Sequence, residues 1–146
     1  MSNVSVETQS PNINNFARCA TIEEALGAAE TRSIPCLATG RYLIIQIEQT
    51  SQALSLCEVK VYKRQMQLDE NIALGRPAFQ VSYRYNTDAG LNSVAGLAVD
   101  GNMDSEYSKG TCSHTDGETN PWWAVDLGKT FKLKTVEIAN RLELRE

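Results

Sequence analysis

The residues with chemistry to offer crowd into one stretch. Asp100-Gly101-Asn102-Met103-Asp104 leads into Thr111-Cys112-Ser113-His114 and then Asn120-Pro121-Trp122-Trp123-Ala124-Val125-Asp126-Leu127-Gly128. It holds a carboxylate-rich turn, a cysteine, the single histidine and both tryptophans. Oxygen-bearing side chains around Gly101 suit a hard cation such as calcium, which takes roughly six to eight oxygen ligands. A plain turn explains them equally well when they stand alone, because Asp, Asn and Gly favour turns. The spacing is not that of an EF-hand. Taken alone, His114 is better read as a side chain that bonds a backbone carbonyl. Catalysis finds little support: there is no nucleophile elbow, phosphate loop or zinc motif. Asp100 and Asp104 share one turn and do not flank a glycosidic bond. Of Trp122 and Trp123, at least one is expected in the core, since adjacent strand residues face opposite sides.

The chain as a whole bounds the answer. Its 146 residues suit one domain. With 42% apolar and 22% charged residues it has an ordinary globular composition. The net charge is −4 and the basic residues are scattered, which argues against nucleic acid as a partner. No apolar run is long enough to span a membrane as a helix. Cys19, Cys36, Cys57 and Cys112 fit no paired zinc motif. They are expected to form two disulfides, with three connectivities open, which implies an oxidising compartment. The first residues lack the basic start and apolar core of a secretory leader, so either unconventional export or a trimmed start is expected.

The elements that must position this stretch read mainly as strands. Val4 and Val6 alternate, and Ser10-Pro11-Asn12-Ile13-Asn14-Asn15 follows as a loop. Thr21 and Glu24 form a capping box that predicts a short helix over 21–26. Ile34 precedes a proline and is extended. Residues 40–48 are β-branched and aromatic, and 54–62 alternate strictly, so both are strands, expected to be antiparallel neighbours. Residues 63–70 are a polar seam. A strand is expected at 79–83 and a loop at 88–95. Trp122 to Leu127 reads as a buried strand closed by a turn at Gly128, and 131–140 as another strand. The fold class is therefore all-β, a sandwich or jelly roll with short helical turns only.

Several short motifs together resemble the F-type lectins, the fucolectin family. They are Asn71-Ile72-Ala73-Leu74-Gly75-Arg76-Pro77-Ala78, Ala98-Val99-Asp100-Gly101-Asn102, Cys112-Ser113-His114-Thr115, the Asn120 to Gly128 run and Ile138-Ala139-Asn140-Arg141. These match the first half of the family domain. Cys19-Ala20-Thr21-Ile22, Cys36, Gly40-Arg41-Tyr42 and Leu56-Cys57-Glu58-Val59-Lys60-Val61-Tyr62 resemble its second half, so the halves stand in swapped order. Either the chain is one circularly permuted domain, or the tail of one tandem domain is joined to the head of the next. The summed length favours a single domain over 1–146, with 1–62 and 71–146 as the two portions and 63–70 bridging them.

The resemblance implies a discoidin-like jelly-roll β-sandwich. It also implies a secreted, calcium-dependent lectin of innate immunity that binds terminal L-fucose on glycans and performs no reaction. His114, Arg141, Arg145 and Tyr107 would bind the sugar. The histidine and arginines would donate hydrogen bonds, and Tyr107 would touch the methyl group. The family's second arginine and its neighbouring cysteine pair are missing: Leu144 and Arg145 stand at the cysteine positions. Calcium would be held by Glu58, Asp100 and Thr111, and by the backbone carbonyls of Cys57, Leu97 and Asn102. Cys57 is expected to pair with Cys112, and Cys19 with Cys36. Fucosylated glycoproteins are the expected partners, and a homo-oligomer is a further expectation. Two alternatives remain: a scaffold domain that has lost its sugar site, and a carbohydrate-active enzyme.

Overall fold

The computed structural model describes residues 4–9, 16–65 and 69–142. Eleven strands are assigned among them. They are β1 (Val4–Gln9), β2 (Phe16–Ile22), β3 (Thr31–Pro35), β4 (Thr39–Ile47), β5 (Ser55–Leu56), β6 (Glu58–Lys63), β7 (Ala78–Gln80), β8 (Tyr85–Asn86), β9 (Leu91–Asn92), β10 (Ser113–His114) and β11 (Trp122–Ala139). The helical residues form two single 3-10 turns, Ala95–Val99 and Tyr107–Lys109. The fold class is all-β, as the alternating sequence predicts. The expected loop 10–15, residues 66–68 of the seam and Arg145 lie outside the described residues.

β11 organises the sheets. Its first part pairs with β4 on one side and β7 on the other. Its second part pairs with β3 and β6. The chain therefore passes from one sheet, β2-β1-β4-β11-β7, into another, β3-β11-β6, without leaving the strand. A register shift between Asp126 and Phe131 marks the crossing. Bulges bend a strand and let it change sheets. Gly128 sits there at φ +91°, a left-handed backbone that glycine adopts without strain. Asp126 Oδ1 accepts the Gly128 N–H at 2.9 Å and is gripped from across the sheet by Arg41 Nε at 2.8 Å. The sequence reading placed a turn and two strands here; Gly128 instead makes a bulge inside one long strand.

The core lies on the inner faces. Trp123, Val125 and Leu127 of β11 are fully buried, as are Leu43, Ile45 and Ile47 of β4. Past the second register shift, between Leu133 and Thr135, the buried parity changes and Val136 and Ile138 point inward. One alternation cannot describe an irregular strand, so the pattern read over 131–140 holds only on each side of the shift. Trp123 Nε1 donates to the Ala95 carbonyl at 3.0 Å, which satisfies its polar edge inside the core.

Three expectations are corrected. Residues 21–22 end β2 rather than begin a helix, because Ile22 pairs with Val4 and buries its side chain. A capping box is a weak preference that a sheet partner overrides. The run 54–62 is two strands broken at Cys57, since β5 pairs with β10 and β6 with β11. The strands at 39–47 and 58–63 are not neighbours: β11 provides the partner for both.

Both expected disulfides are present, Cys19–Cys36 and Cys57–Cys112. The second joins the segment before the seam to the segment after it. The two bonds span sequence separations of 17 and 55. Non-reducing peptide mapping should recover both pairs. Removing the longer one, with Cys57→Ser and Cys112→Ser together, should cost roughly 1 kcal/mol more than removing the shorter, because loop-closure entropy grows with loop length. Denaturant titration of the two double variants measures the difference.

Candidate functional site

Short strands and turns at one end of the sandwich enclose a cavity of about 440 Å³. Its polar lining includes Arg84, Asn86, Asp88, Tyr107, His114 and Arg141. His114 ends β10. Its backbone N–H donates to the Ser93 carbonyl at 3.1 Å, and its own carbonyl accepts the Arg84 N–H at 3.0 Å. The Gln80 side-chain amide also donates to that carbonyl at 3.2 Å. Arg141 follows β11. Its carbonyl accepts the Ala29 N–H, and the next residue, Leu142, donates to Ser105, so the backbone here is tied on both sides. Tyr107 occupies a 3-10 turn and bonds Ser93 Oγ through its hydroxyl at 3.0 Å.

These residues meet as a stack. The Arg141 guanidinium lies 4.6 Å from the Tyr107 ring centroid, and the Tyr107 and His114 rings are 5.2 Å apart at 52°. Arg141 is 8% exposed and His114 6%. The stack keeps a cation at the cavity wall with little freedom to reorient, and cation–π attraction suits arginine over tyrosine. Asn86 ties the Tyr107 turn to the loop beside it. Its Nδ2 donates to the Tyr107 carbonyl, while its Oδ1 accepts the N–H groups of Asp88 and Ala89.

The protonation of His114 follows from its surroundings. Nδ1 lies 2.5 Å from the Thr115 carbonyl oxygen. A carbonyl oxygen can only accept, so Nδ1 carries the hydrogen and Nε2 is left with a lone pair. Burial is the main force holding the imidazole below its ordinary 6.5, assisted by the charges of Arg141 and Arg84; the Thr115 bond and Asp116 pull the other way. His114 is thus neutral near pH 7. The sequence reading had it as a donor; the structure makes Nε2 an acceptor. Arg141 presents a held donor, Arg84 an exposed one and the neutral imidazole an acceptor, a set able to bind adjacent hydroxyls of an uncharged polyol.

A second cluster lies near the Cys57–Cys112 bond. Glu58 is 1% exposed; its carboxylate oxygens make no well-formed hydrogen bond, although the Gly101 N–H and the Asp100 carboxyl stand close enough to act on it. Burial, and then the charge of Asp100, raise its pKa to about 7. A buried carboxylate with no well-formed hydrogen bond, beside a second carboxylate, fits a cation. Asp100 Oδ1 accepts the Asn102 N–H, Asn102 Oδ1 accepts that of Asp104, and Asp104 Oδ1 accepts that of Glu106. The Asn102 side-chain oxygen is therefore committed to the backbone. Thr111 is nearly buried, and its hydroxyl donates to the Glu106 carbonyl at 2.9 Å. Among the described residues no group of three or more His, Cys, Asp or Glu could hold a metal. A cation here would take most of its ligands from backbone carbonyls, as calcium accepts.

A family of NedA-like, galactose-binding domains matches residues 97–145. The chain is 43% identical over 74 residues to Fucolectin-1 of Anguilla japonica, covering 51% of this chain and 41% of that protein. It is 42% identical over 72 residues to Fucolectin of Anguilla anguilla, covering 49% and 45%. Fucolectin-5 of Anguilla japonica is 36% identical over 109 residues, covering 73% and 57%. These matches support a relationship to the F-type lectins. The chain spans about half the length of those curated relatives. No solved structure matches it.

Of the sugar residues expected from the sequence, His114, Arg141 and Tyr107 come together; Arg145 lies outside the described residues. Trp122 and Trp123 do not line the cavity. Arg84, Asn86 and Asp88 do, and sequence reasoning missed them. The available signal was an arginine between two tyrosines, Tyr83-Arg84-Tyr85, just where the expected strand 79–83 ends.

Because His114 is the single histidine, its nitrogen resonances are unambiguous. Nitrogen-detected NMR should show the Nδ1–H tautomer and a titration midpoint below 6.5. The unfolded chain takes up a proton at higher pH than the folded one. This residue's contribution to stability is therefore complete above pH 6.5 and declines as pH falls below it. A midpoint above that value would refute the assigned environment.

Proposed function

We propose that the protein is a secreted lectin that binds terminal fucose in the cavity of His114, Tyr107 and Arg141, without catalysis. The observation that carries this reading is the stack itself, which brings a sequence-distant arginine, tyrosine and histidine to one polar wall. The arginines would donate to adjacent ring oxygens, and His114 Nε2 would accept a hydroxyl hydrogen. Tyr107 would offer its apolar edge to the methyl group. The fucolectin relatives bear names that agree with this ligand. Two disulfides suit an oxidising, extracellular setting. The interleaving of strands from before and after the seam around β11 supports one domain whose halves stand in swapped order.

Titration calorimetry with fucose should show binding at about millimolar Kd, the strength of a few hydrogen bonds at one small site. His114→Ala should abolish it. Arg141→Ala should weaken it by roughly ten- to a hundredfold, since a bond to a charged donor contributes about 1.5–3 kcal/mol. Equal affinity after both substitutions would place the sugar elsewhere. No response on a multivalent fucosylated surface would favour a scaffold that has lost its sugar site.

Calcium is proposed as the structural ion beside Glu58. Glu58 and Asp100 would supply charge, Thr111 its hydroxyl, and Cys57, Leu97 and Asn102 their carbonyls. Bound there, the ion would neutralise the buried carboxylate and stabilise the folded state by mass action. Chelation should lower the melting temperature of the intact protein, and Asp100→Ala should remove the effect. An unchanged melting curve on chelation would exclude the ion.

A further inference from the structure

A second cavity, of about 420 Å³, opens beside the β11 bulge and is basic. Lys63, Arg76 and Lys129 line it with Glu70, Asn71 and Phe131. Three elements converge here. Lys63 closes β6 and pairs with Leu133. Lys129 and Phe131 belong to the bulge and its exit. Arg76 packs against the bulge, where a Cβ on Gly128 would stand 3.0 Å from its Nη1. Glycine at 128 therefore leaves room for the guanidinium.

The cations are gathered rather than scattered. Lys63 Nζ lies 5.6 Å and Lys129 Nζ 5.2 Å from the centroid of the same Phe131 ring. The ring attracts both ammonium groups, which offsets part of their mutual repulsion. None of the three cations forms a salt bridge to a described carboxylate. The neighbouring acids bond other partners: Asp126 is held by two nitrogens of Arg41 and reaches Arg76 only through its charge, and Asp69 pairs with Lys134. Glu70 is the one carboxylate in the lining. A local surplus of positive charge thus persists in a chain of net charge −4. A concave surface lined by one sign of charge concentrates ions of the other. The volume lies in the range of small-molecule sites, roughly 300–1,000 Å³, and exceeds what a bare oxoanion fills.

We propose that this cavity is a second ligand site, which binds a saccharide carrying a sulfate ester through Lys63, Arg76 and Lys129. The arginine fork and the two ammonium groups would engage the sulfate oxygens, and Asn71 and Glu70 the sugar hydroxyls. The site does not depend on the fucose reading. Along β11, Phe131 and Ala139 lie roughly 26 Å apart at strand spacing, and Arg141 follows two residues later, so the two cavities serve different ends of the molecule.

The test is titration of the whole chain at low ionic strength with three probes: a sulfated heparin disaccharide, its desulfated counterpart and inorganic sulfate. The sulfated disaccharide should bind, with backbone NMR shifts at Lys63, Arg76, Lys129 and Phe131, and added salt should weaken it. The Lys63→Gln, Lys129→Gln double variant and Arg76→Gln should each lose at least about tenfold in affinity. The desulfated probe should not bind. Inorganic sulfate binding as tightly as the disaccharide would overturn the saccharide assignment. No binding of the sulfated probe, or binding unchanged in both variants, would overturn the site. Fucose affinity measured on the same variants should equal that of the parent protein, so failure at one cavity is read separately from failure at the other.

Discussion

The hydrogen-bond ladder of β11 is the constraint on which the rest of the molecule depends. A strand buried between neighbours must satisfy its N–H and C=O groups on both edges along its length. β11 does so with four partners, β4 and β7 for its first part and β3 and β6 for its second. The change of partners requires a bend, and the bulge at Gly128 supplies it. Arg41 and Asp126 brace the bulge from the neighbouring strand, a paired contact whose geometry is bidentate. The inner faces of both sheets then close over one apolar core.

Both candidate ligand regions are consequences of that ladder. Where β11 ends, the chain emerges at Arg141 beside the β5–β10 pair, and the cavity forms there. Where β11 bulges, side chains splay and the basic cavity opens. Chemistry thus gathers at irregularities, because a regular ladder leaves its backbone groups paired and its side chains packed or solvated. The Tyr107 turn illustrates the point. A carbonyl that a strand would pair is instead capped by Asn86, and the same contact holds the ring that carries Arg141.

The environment of Glu58 shows how one fold can keep a costly group. Its strand position next to Cys57 drives it inward, and the Cys57–Cys112 bond holds that backbone in place. Burial alone raises the carboxyl pKa, and Asp100 raises it further. Such a position is expensive in a protein without a compensating charge. The successive turns from Asp100 to Glu106 fix the loop above it through side-chain oxygens bonded to backbone N–H groups.

By itself, the sequence determined that the runs 40–47, 58–62 and 122–127 are strands and which of their faces are apolar. Trp123, Val125 and Leu127 announce an inner face because side chains alternate at period two, a local property of each segment. Family motifs also implied the cysteine pairing and drew attention to His114 and Arg141, which the fold brings to one cavity. Only the tertiary structure decided which strand pairs with which. Period two specifies a face and says nothing of the neighbour, so the strand at 39–47 met β11 rather than the strand at 58–63. The helix read at 21–26 failed for the same reason, since the partner that draws Ile22 into a sheet lies at Val4. The tautomer of His114, the entry of Arg84 into the cavity and the gathering of Lys63 with Lys129 over Phe131 likewise required three dimensions. Each depends on a contact between residues distant in sequence or on a carbonyl's orientation, and neither quantity is carried by the local pattern of residue types.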